Sequence, residues 1–257
     1  MKSKVILMVA LLIGFGFVFT ATQAGEQKSA LLLIEEQIVK PAKIAELEAA
    51  LKEMVAYCVE HNYPYSWMTY SDYNYRYCYV MPIKDLADID TQMKAGAELG
   101  KKIGDPWKAL MSEYLGNYEY TKLGVIRTRP DLSYIPENPR LKPDEAVYTR
   151  WGLCYVKADK TGEFEELMKK WVELFREKNI ADGFNTFMGD LGTDNPFYFY
   201  AESGKSPEDF FTQNTKNMDM LGEEVEPLWM KTLGVLRKYE SIGGMFRPEL
   251  SYIPKKE

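Results

Sequence analysis

Glu35 and Arg150 are the charged residues whose setting could support chemistry. Both fall on the first strands of two matching units, Ala30–Val39 and its counterpart in a unit that starts near Ala146, when the chain is aligned with itself. In that alignment Glu35 and Gln37 stand against Gly152 and Cys154, and Arg150 stands against Leu33. If this row of side chains points inward, Glu35 and Arg150 are a buried acid and base. Burial of that kind shifts pKa values and serves proton abstraction. If the row lies at a barrel mouth, the same residues are solvated or paired. Asn185, matched by Met68, is a further polar candidate.

Aromatic residues supply the second set. Trp67 and Tyr70 align with Phe184 and Phe187, and Tyr77 and Tyr79 align with Tyr198 and Tyr200. Tyrosine has an apolar ring and a hydroxyl that needs a partner or water. Trp67, Tyr70, Tyr77, Tyr79, Asn185, Tyr198 and Tyr200 are therefore the candidate lining of a pocket for an apolar or aromatic molecule. Simple packing between two sheets is the competing reading. Metal and cofactor chemistry has little to rest on. The chain has one histidine, His61, at the outer end of a helical segment, and its matched position is Lys178. A metal site needs several ligands at useful spacing, and no such cluster, nucleophile elbow or phosphate loop is present. No cofactor is expected.

The elements that position these residues are written twice. Arg129-Pro-Asp-Leu-Ser-Tyr-Ile-Pro136 returns as Arg247-Pro-Glu-Leu-Ser-Tyr-Ile-Pro254, with only an Asp/Glu exchange. Such a repeat governs every other reading. Each copy closes a unit, which gives a first unit over 30–136, a linker over 137–145 rich in Pro, and a second unit over 146–254. An anion clamp at Arg129 and Arg247 is one reading of the repeated segment. The other is a structural tail in which Tyr134 and Tyr252 pack and each Arg pairs with a nearby carboxylate.

Within the first unit, Ala30–Val39 reads as a strand and Pro41 opens a helix. Ile44, Leu47, Leu51, Met54, Val55 and Cys58 form one apolar stripe on that helix. Tyr65–Ser71 and Tyr75–Met81 form a hairpin across Asp72-Tyr73-Asn74. Asp85 caps a second helix, which breaks at Gly104-Asp105-Pro106, and Glu119–Arg127 is a last strand. The order strand, helix, strand, strand, helix, strand is the ferredoxin-like plan. On the third strand Arg76, Cys78 and Val80 alternate with Tyr77 and Tyr79, and in the second unit Phe197, Phe199 and Ala201 alternate with Tyr198 and Tyr200. The Phe-bearing row is assigned to the helices and the tyrosine row to the open sheet face. A lone unit would expose that face as a large patch. Two units packed face to face remove it by closing a barrel of about eight strands with helices outside. The fold class is thus α+β, two tandem βαββαβ repeats forming an intrachain α/β barrel.

The arrangement resembles the dimeric α/β-barrel superfamily in a tandem single-chain form, and within it the NIPSNAP-like and antibiotic-biosynthesis-monooxygenase-like families. The resemblance rests on Ile38-Val-Lys-Pro-Ala-Lys-Ile-Ala-Glu-Leu47 and on Asp105-Pro-Trp-Lys-Ala-Leu-Met111 ahead of the last strand. It implies the fold. It also implies a range of activities, from cofactor-free monooxygenases to haem-handling enzymes and proteins with no known activity.

The start of the chain is a different kind of segment. Lys2 and Lys4 precede an apolar run, Val5–Phe19, and the small residues up to Ala24. That is the anatomy of a secretory signal over 1–24, shorter than the ~20 apolar residues of a spanning helix. The expected location is periplasmic or secreted. The net charge of −6, two more negative without that leader, argues against nucleic acid and anionic membrane as partners. Three cysteines in 257 residues do not make a disulfide scaffold. Cys58 and Cys78 are nevertheless expected on facing surfaces, which leaves a bridge between them open. The expected role is an exported monomer or weak homodimer that binds a small, largely apolar or aromatic molecule in its barrel. The alternatives are a cofactor-independent monooxygenase-like enzyme, with a haem-dependent variant behind it, and a structural module with a filled barrel.

Overall fold

The structure, a computed structural model, describes residues 28–255. The signal segment expected over 1–24 lies outside the described residues. The first half comprises β1 (Leu31–Val39), α1 (Ile44–Glu60), β2 (Met68–Asp72), β3 (Arg76–Ile83), α2 (Leu86–Ile103), α3 (Asp105–Leu115) and β4 (Tyr118–Thr128). The second comprises β5 (Tyr148–Val156), α4 (Thr161–Glu177), β6 (Phe184–Gly189), β7 (Phe197–Gly204), α5 (Pro207–Leu221), α6 (Val225–Gly234) and β8 (Leu236–Phe246). All eight strands pair antiparallel into one closed barrel in the order β1-β3-β2-β8-β5-β7-β6-β4. Closure leaves no strand edge unpaired. The fold is α+β, with helices outside the barrel.

Local sequence accounts for these elements. On α1, Leu47, Ala50, Leu51 and Cys58 are buried, and on α4, Phe164, Leu167, Met168, Val172 and Phe175 are buried. Both sets recur at three- and four-residue steps, so one face of each helix is dry. Asp85 and Ser206 cap α2 and α5 by accepting from the backbone N–H of Asp88 and Asp209, which satisfies donors the first turn leaves free. Gly104 (φ 81°) and Gly222 (φ 73°) end the same two helices. A backbone of that hand favours glycine, and it lets the chain turn directly into the following helical segment.

The halves close on each other at two places. Trp67 pairs with Tyr252, and Tyr134 pairs with Phe184, as short antiparallel bridges. The tail of each half therefore lies against the other half. Arg247 bonds Glu48 on α1 (2.7 Å), and Arg129 bonds Glu165 on α4 (2.5 Å). Arg129 also pairs with Asp131, and Arg247 with Glu249. Tyr134 and Tyr252 are buried, with hydroxyls donating to the carbonyls of Ile180 and Tyr63. The repeated segment is a strap rather than an anion clamp.

The faces of the strands are the reverse of the expectation. Tyr77, Tyr79 and Tyr198 point toward the helices. Tyr77 and Tyr79 pack with Leu47, Leu51 and Leu110, and Tyr198 with Phe164 and Cys154. The row Arg76, Cys78, Val80 and the row Phe197, Phe199, Ala201 point into the barrel. The reason is the tyrosine hydroxyl. It needs a partner, and α1 and α4 each carry one: Tyr77 donates to Glu48 (2.5 Å) and Tyr198 to Glu165 (2.6 Å). A hydroxyl satisfied in this way can be covered by a helix at little cost. Cys58 and Cys78 fall on opposite sides of the sheet for the same reason. All three cysteines are free, and the bridge does not form.

Candidate functional site

The barrel is hollow. It holds a cavity of about 880 Å³ that is partly open to solvent, within the size range of small-molecule sites. Burial along β7 reports the hollow directly. Tyr198, under the helices, is 1% exposed, whereas Phe197 and Phe199 on the cavity side are only half-buried. A solid core would cover both rows.

Most of the wall is aromatic. Tyr155, Phe197, Phe199 and Phe187 run as a panel, with ring centroids 5.1, 5.8 and 4.7 Å apart and the last pair stacked. Tyr70 meets Trp151 edge-on (5.7 Å) and lies 5.4 Å from Phe246. Strand alternation places these side chains inside: Thr149, Trp151, Leu153 and Tyr155 are successive inward positions of β5. Burial pushes the Tyr70 hydroxyl up to about 12, so it is neutral at ordinary pH. The segment after the first strap borders the cavity through Pro136, Pro139, Leu141 and Pro143, close to Phe184 and Thr128. Arg140 holds this segment in place with bonds to Asp182 (2.8 Å) and Asp209 (2.8 and 3.0 Å).

At the end of the cavity where β1 finishes, the wall is charged. Arg76 Nη1 donates to Glu36 Oε2 (3.1 Å), and its Nε lies 3.1 Å from Asp72 Oδ2. That second contact is an ion pair without hydrogen-bond alignment, and both atoms are buried with no hydrogen-bond partner. Asp72 Oδ1 accepts the backbone N–H of Asn74 and of Arg76, which ties the turn before β3 to the pair. Lys122 lies 3.9 Å from Glu36. Burial opposes the charge on Arg76, but the carboxylates of Glu36 and Asp72 outweigh it and raise the guanidinium pKa. Beside it, burial and the nearby Glu36 charge push the Cys78 thiol up to about 12, with Arg76 pulling the other way. Cys78 is a neutral thiol in the wall.

The residues proposed from sequence divide into two groups. Tyr70 and Asn185 border the cavity. Trp67, Tyr77, Tyr79, Tyr198 and Tyr200 lie on the helix side. Trp67 donates its indole N–H to the Leu250 carbonyl (2.9 Å), and Tyr200 shares a hydroxyl hydrogen bond with Tyr239 (2.8 Å). Glu35 and Arg150 are not an inward acid and base. Glu35 accepts from Gln37 (2.7 Å), whose Oε1 in turn receives the Tyr114 and Tyr79 hydroxyls (2.8 and 3.2 Å). Burial under the helices raises the Glu35 pKa, partly offset by the Gln37 bond. Arg150 bonds Ser241 and lies over Phe210 and Phe211 on α5. The residues that sequence reasoning missed are Glu36, Arg76, Trp151, Phe197 and Phe199. For Arg76, Phe197 and Phe199 the signal was present in the alternation of β3 and β7, where Arg76 is a charged residue in an otherwise apolar row.

A haem-dependent variant needs an axial ligand. His61, the chain's one histidine, caps α1 with its ring stacked on Tyr57 and does not border the cavity. Among the described residues no group of three or more His, Cys, Asp or Glu could hold a metal ion. The residues present do not fit a histidine-ligated haem. Among the described residues no helix is long and apolar enough to cross a membrane.

No known family and no curated protein matches the chain. Solved structures do. A "putative monooxygenase" from Lactobacillus acidophilus NCFM aligns with TM-score 0.54 at 9% identity, covering 88% of this chain and 97% of that one. An anthrone oxidase-like protein aligns with TM-score 0.56 at 11% identity, covering 86% and 92%. Chlorite dismutase from Candidatus Nitrospira defluvii, solved with imidazole, aligns with TM-score 0.52 at 13% identity, covering 87% and 93%. At such identities the likeness is one of fold. The chain shares the closed α+β barrel fold of these proteins.

Proposed function

We propose that the chain is two ferredoxin-like repeats in tandem whose shared barrel binds one small, largely aromatic molecule. The observation that carries this reading is the cavity of about 880 Å³ walled by Tyr70, Trp151, Tyr155, Phe197 and Phe199. A site with an apolar wall and a few convergent polar groups is the usual form of a small-molecule pocket. The leader read over 1–24 supports action outside the cytoplasm. Native mass spectrometry of protein purified from its source compartment tests the binding reading. It should show a bound species of roughly 200–500 Da, the size such a cavity holds. A bare chain mass together with no uptake of any aromatic probe would sink it. Ala201 borders the cavity, and Ala201→Trp should block uptake while leaving the fold intact.

A second reading is a cofactor-independent monooxygenase-like activity. It is supported by the names of two structural neighbours and by one feature of this chain: a carboxylate, Glu36, stands in the cavity wall. In that reading Glu36 takes a proton from a bound aromatic molecule, and the resulting carbanion meets O₂ inside a dry pocket. An oxygen electrode decides between the readings. Substrate-dependent O₂ consumption that falls at least about a hundredfold in Glu36→Gln supports catalysis. Tight binding without O₂ consumption leaves a binding protein.

A further inference from the structure

The two halves build opposite walls of the cavity from different chemistry. β3 and β7 lie across the barrel from each other, four places apart in the strand order. Where the first half places Glu36, Asp72 and Arg76, the matched positions of the second half are Leu153, Gly189 and Phe197. One wall is thus an ion-pair cluster and the other an aromatic panel. The cluster is also incompletely satisfied from within the protein. Arg76 has five N–H donors, of which Glu36 takes one on Nη1. Its Nε and Asp72 Oδ2 have no hydrogen-bond partner. Those two atoms are closed off and face each other at 3.1 Å, so the capacity open to the cavity lies on the remaining Nη donors of Arg76, which borders it beside Glu36.

The chemistry of that capacity is specific. Arg76 presents N–H donors beside the acceptor lone pairs of Glu36. A hydroxyl group both accepts and donates, and so can use the two side by side. The formal charges balance, Arg76 and Lys122 against Glu36 and Asp72, so the pole gives no net attraction for an anion. A carboxylate ligand would meet the fixed carboxylate of Glu36 as well as the guanidinium.

We propose that Arg76 and Glu36 are the specificity-determining residues of the cavity, and that they select a neutral aromatic molecule carrying a hydroxyl group, with its ring against Phe197, Phe199 and Trp151. This inference rests on the binding reading above. The test uses full-length protein and three matched probes, naphthalene, 2-naphthol and 2-naphthoate, followed by quenching of intrinsic tryptophan fluorescence. The wild type should bind 2-naphthol about tenfold or more tighter than naphthalene, the worth of one hydrogen bond to a charged group. It should bind 2-naphthoate no tighter than naphthalene. The double variant Arg76→Met/Glu36→Leu should lose the preference while keeping naphthalene affinity within about threefold. Arg76→Lys keeps the charge balance but loses the planar fork. It should retain only part of the preference, and it serves if the double variant does not fold. Naphthalene binding with no preference for 2-naphthol would overturn the specificity proposal and leave the binding reading standing. A preference that survives in the variants would also overturn it. If none of the three probes binds, both fall together.

Discussion

The two halves share a tyrosine, carboxylate and arginine layer under their helices and differ where they face each other. On the helix side, Tyr77, Glu48 and Arg247 repeat as Tyr198, Glu165 and Arg129, with the same partners and nearly the same distances. On the cavity side, an ion-pair cluster in one half stands against an aromatic panel in the other. The helix-facing layer is close-packed, and the hydroxyls of Tyr77, Tyr79, Tyr198 and Tyr200 each have a partner. A change there costs stability at once. The cavity wall has free volume in front of it, so a side chain there can change charge or size without displacing a neighbour. The shared layer therefore holds the helices to the sheet, and the ion-pair cluster and aromatic panel set the two halves apart in the wall of the cavity.

The comparison can be broken most sharply at Gly152. Its partner in the first half is Glu35, which carries a full side chain, but a Cβ on Gly152 would overlap the Tyr200 ring. That ring is held by Tyr239 and packed against Phe184. Gly152→Ala should cost up to about 3 kcal/mol by overpacking, measured by urea unfolding. Glu35→Ala should cost less than about 1 kcal/mol, and equal costs would contradict this account of the asymmetry.

The straps come next, and here the halves should behave alike. Arg129 and Arg247 are 15% and 21% exposed. Removing either one leaves a half-buried carboxylate without its partner. Arg129→Met and Arg247→Met should each cost about 2 kcal/mol, and by similar amounts. A strap that matters in one half only would show that the symmetry is geometric and not energetic.

Acid should act on both halves together. The Arg247 bond holds the Glu48 pKa below the carboxylate range despite burial, and the Arg129 bond does the same for Glu165. A depressed folded pKa means stability that is present above the unfolded value and lost as pH falls through the folded one. Thermal midpoints should therefore drop as pH falls below the ordinary carboxylate range. The double variant Glu48→Gln/Glu165→Gln should flatten that fall.

The smallest effect belongs to the second half alone. Glu202, matched by Met81, lies next to Arg150 on the adjacent strand. Burial pushes its pKa up to about 7, with Arg150 pulling it down. A raised folded pKa means the folded state holds more protons than the unfolded one between the ordinary value and about 7. Stability from this group is full below the ordinary value and is lost as pH rises toward 7. Its side chain keeps some exposure, so the effect is discounted. Glu202→Gln should stabilise by about 1 kcal/mol at pH 8 and by nothing measurable at pH 4.

The fold was legible because it is carried by patterns that occur twice. The stripe on α1 matches that on α4, Asp85 caps its helix as read, and the strap locates the end of each half. The site was not legible, because alternation along a strand gives two faces without saying which is inside. The tyrosines seemed to need water. The helix carboxylates that satisfy them, Glu48 and Glu165, sit 29 and 33 residues away in sequence. One wrong choice of face moved Tyr77, Tyr79, Tyr198, Tyr200, Glu35 and Arg150 together, and hid Arg76, Glu36, Phe197 and Trp151.

The passage from β4 through the proline-bearing segment to β5 has one more consequence. A barrel assembled from two identical chains must display every interior residue twice, once on each side of its axis. A ligand could then enter in either of two equivalent poses. Joining the halves in one chain removes that degeneracy, because Arg76 has Phe197 and not a second arginine at its matched position. A ligand that reads both walls has a single pose, and one end of it is always presented to the same protein atoms.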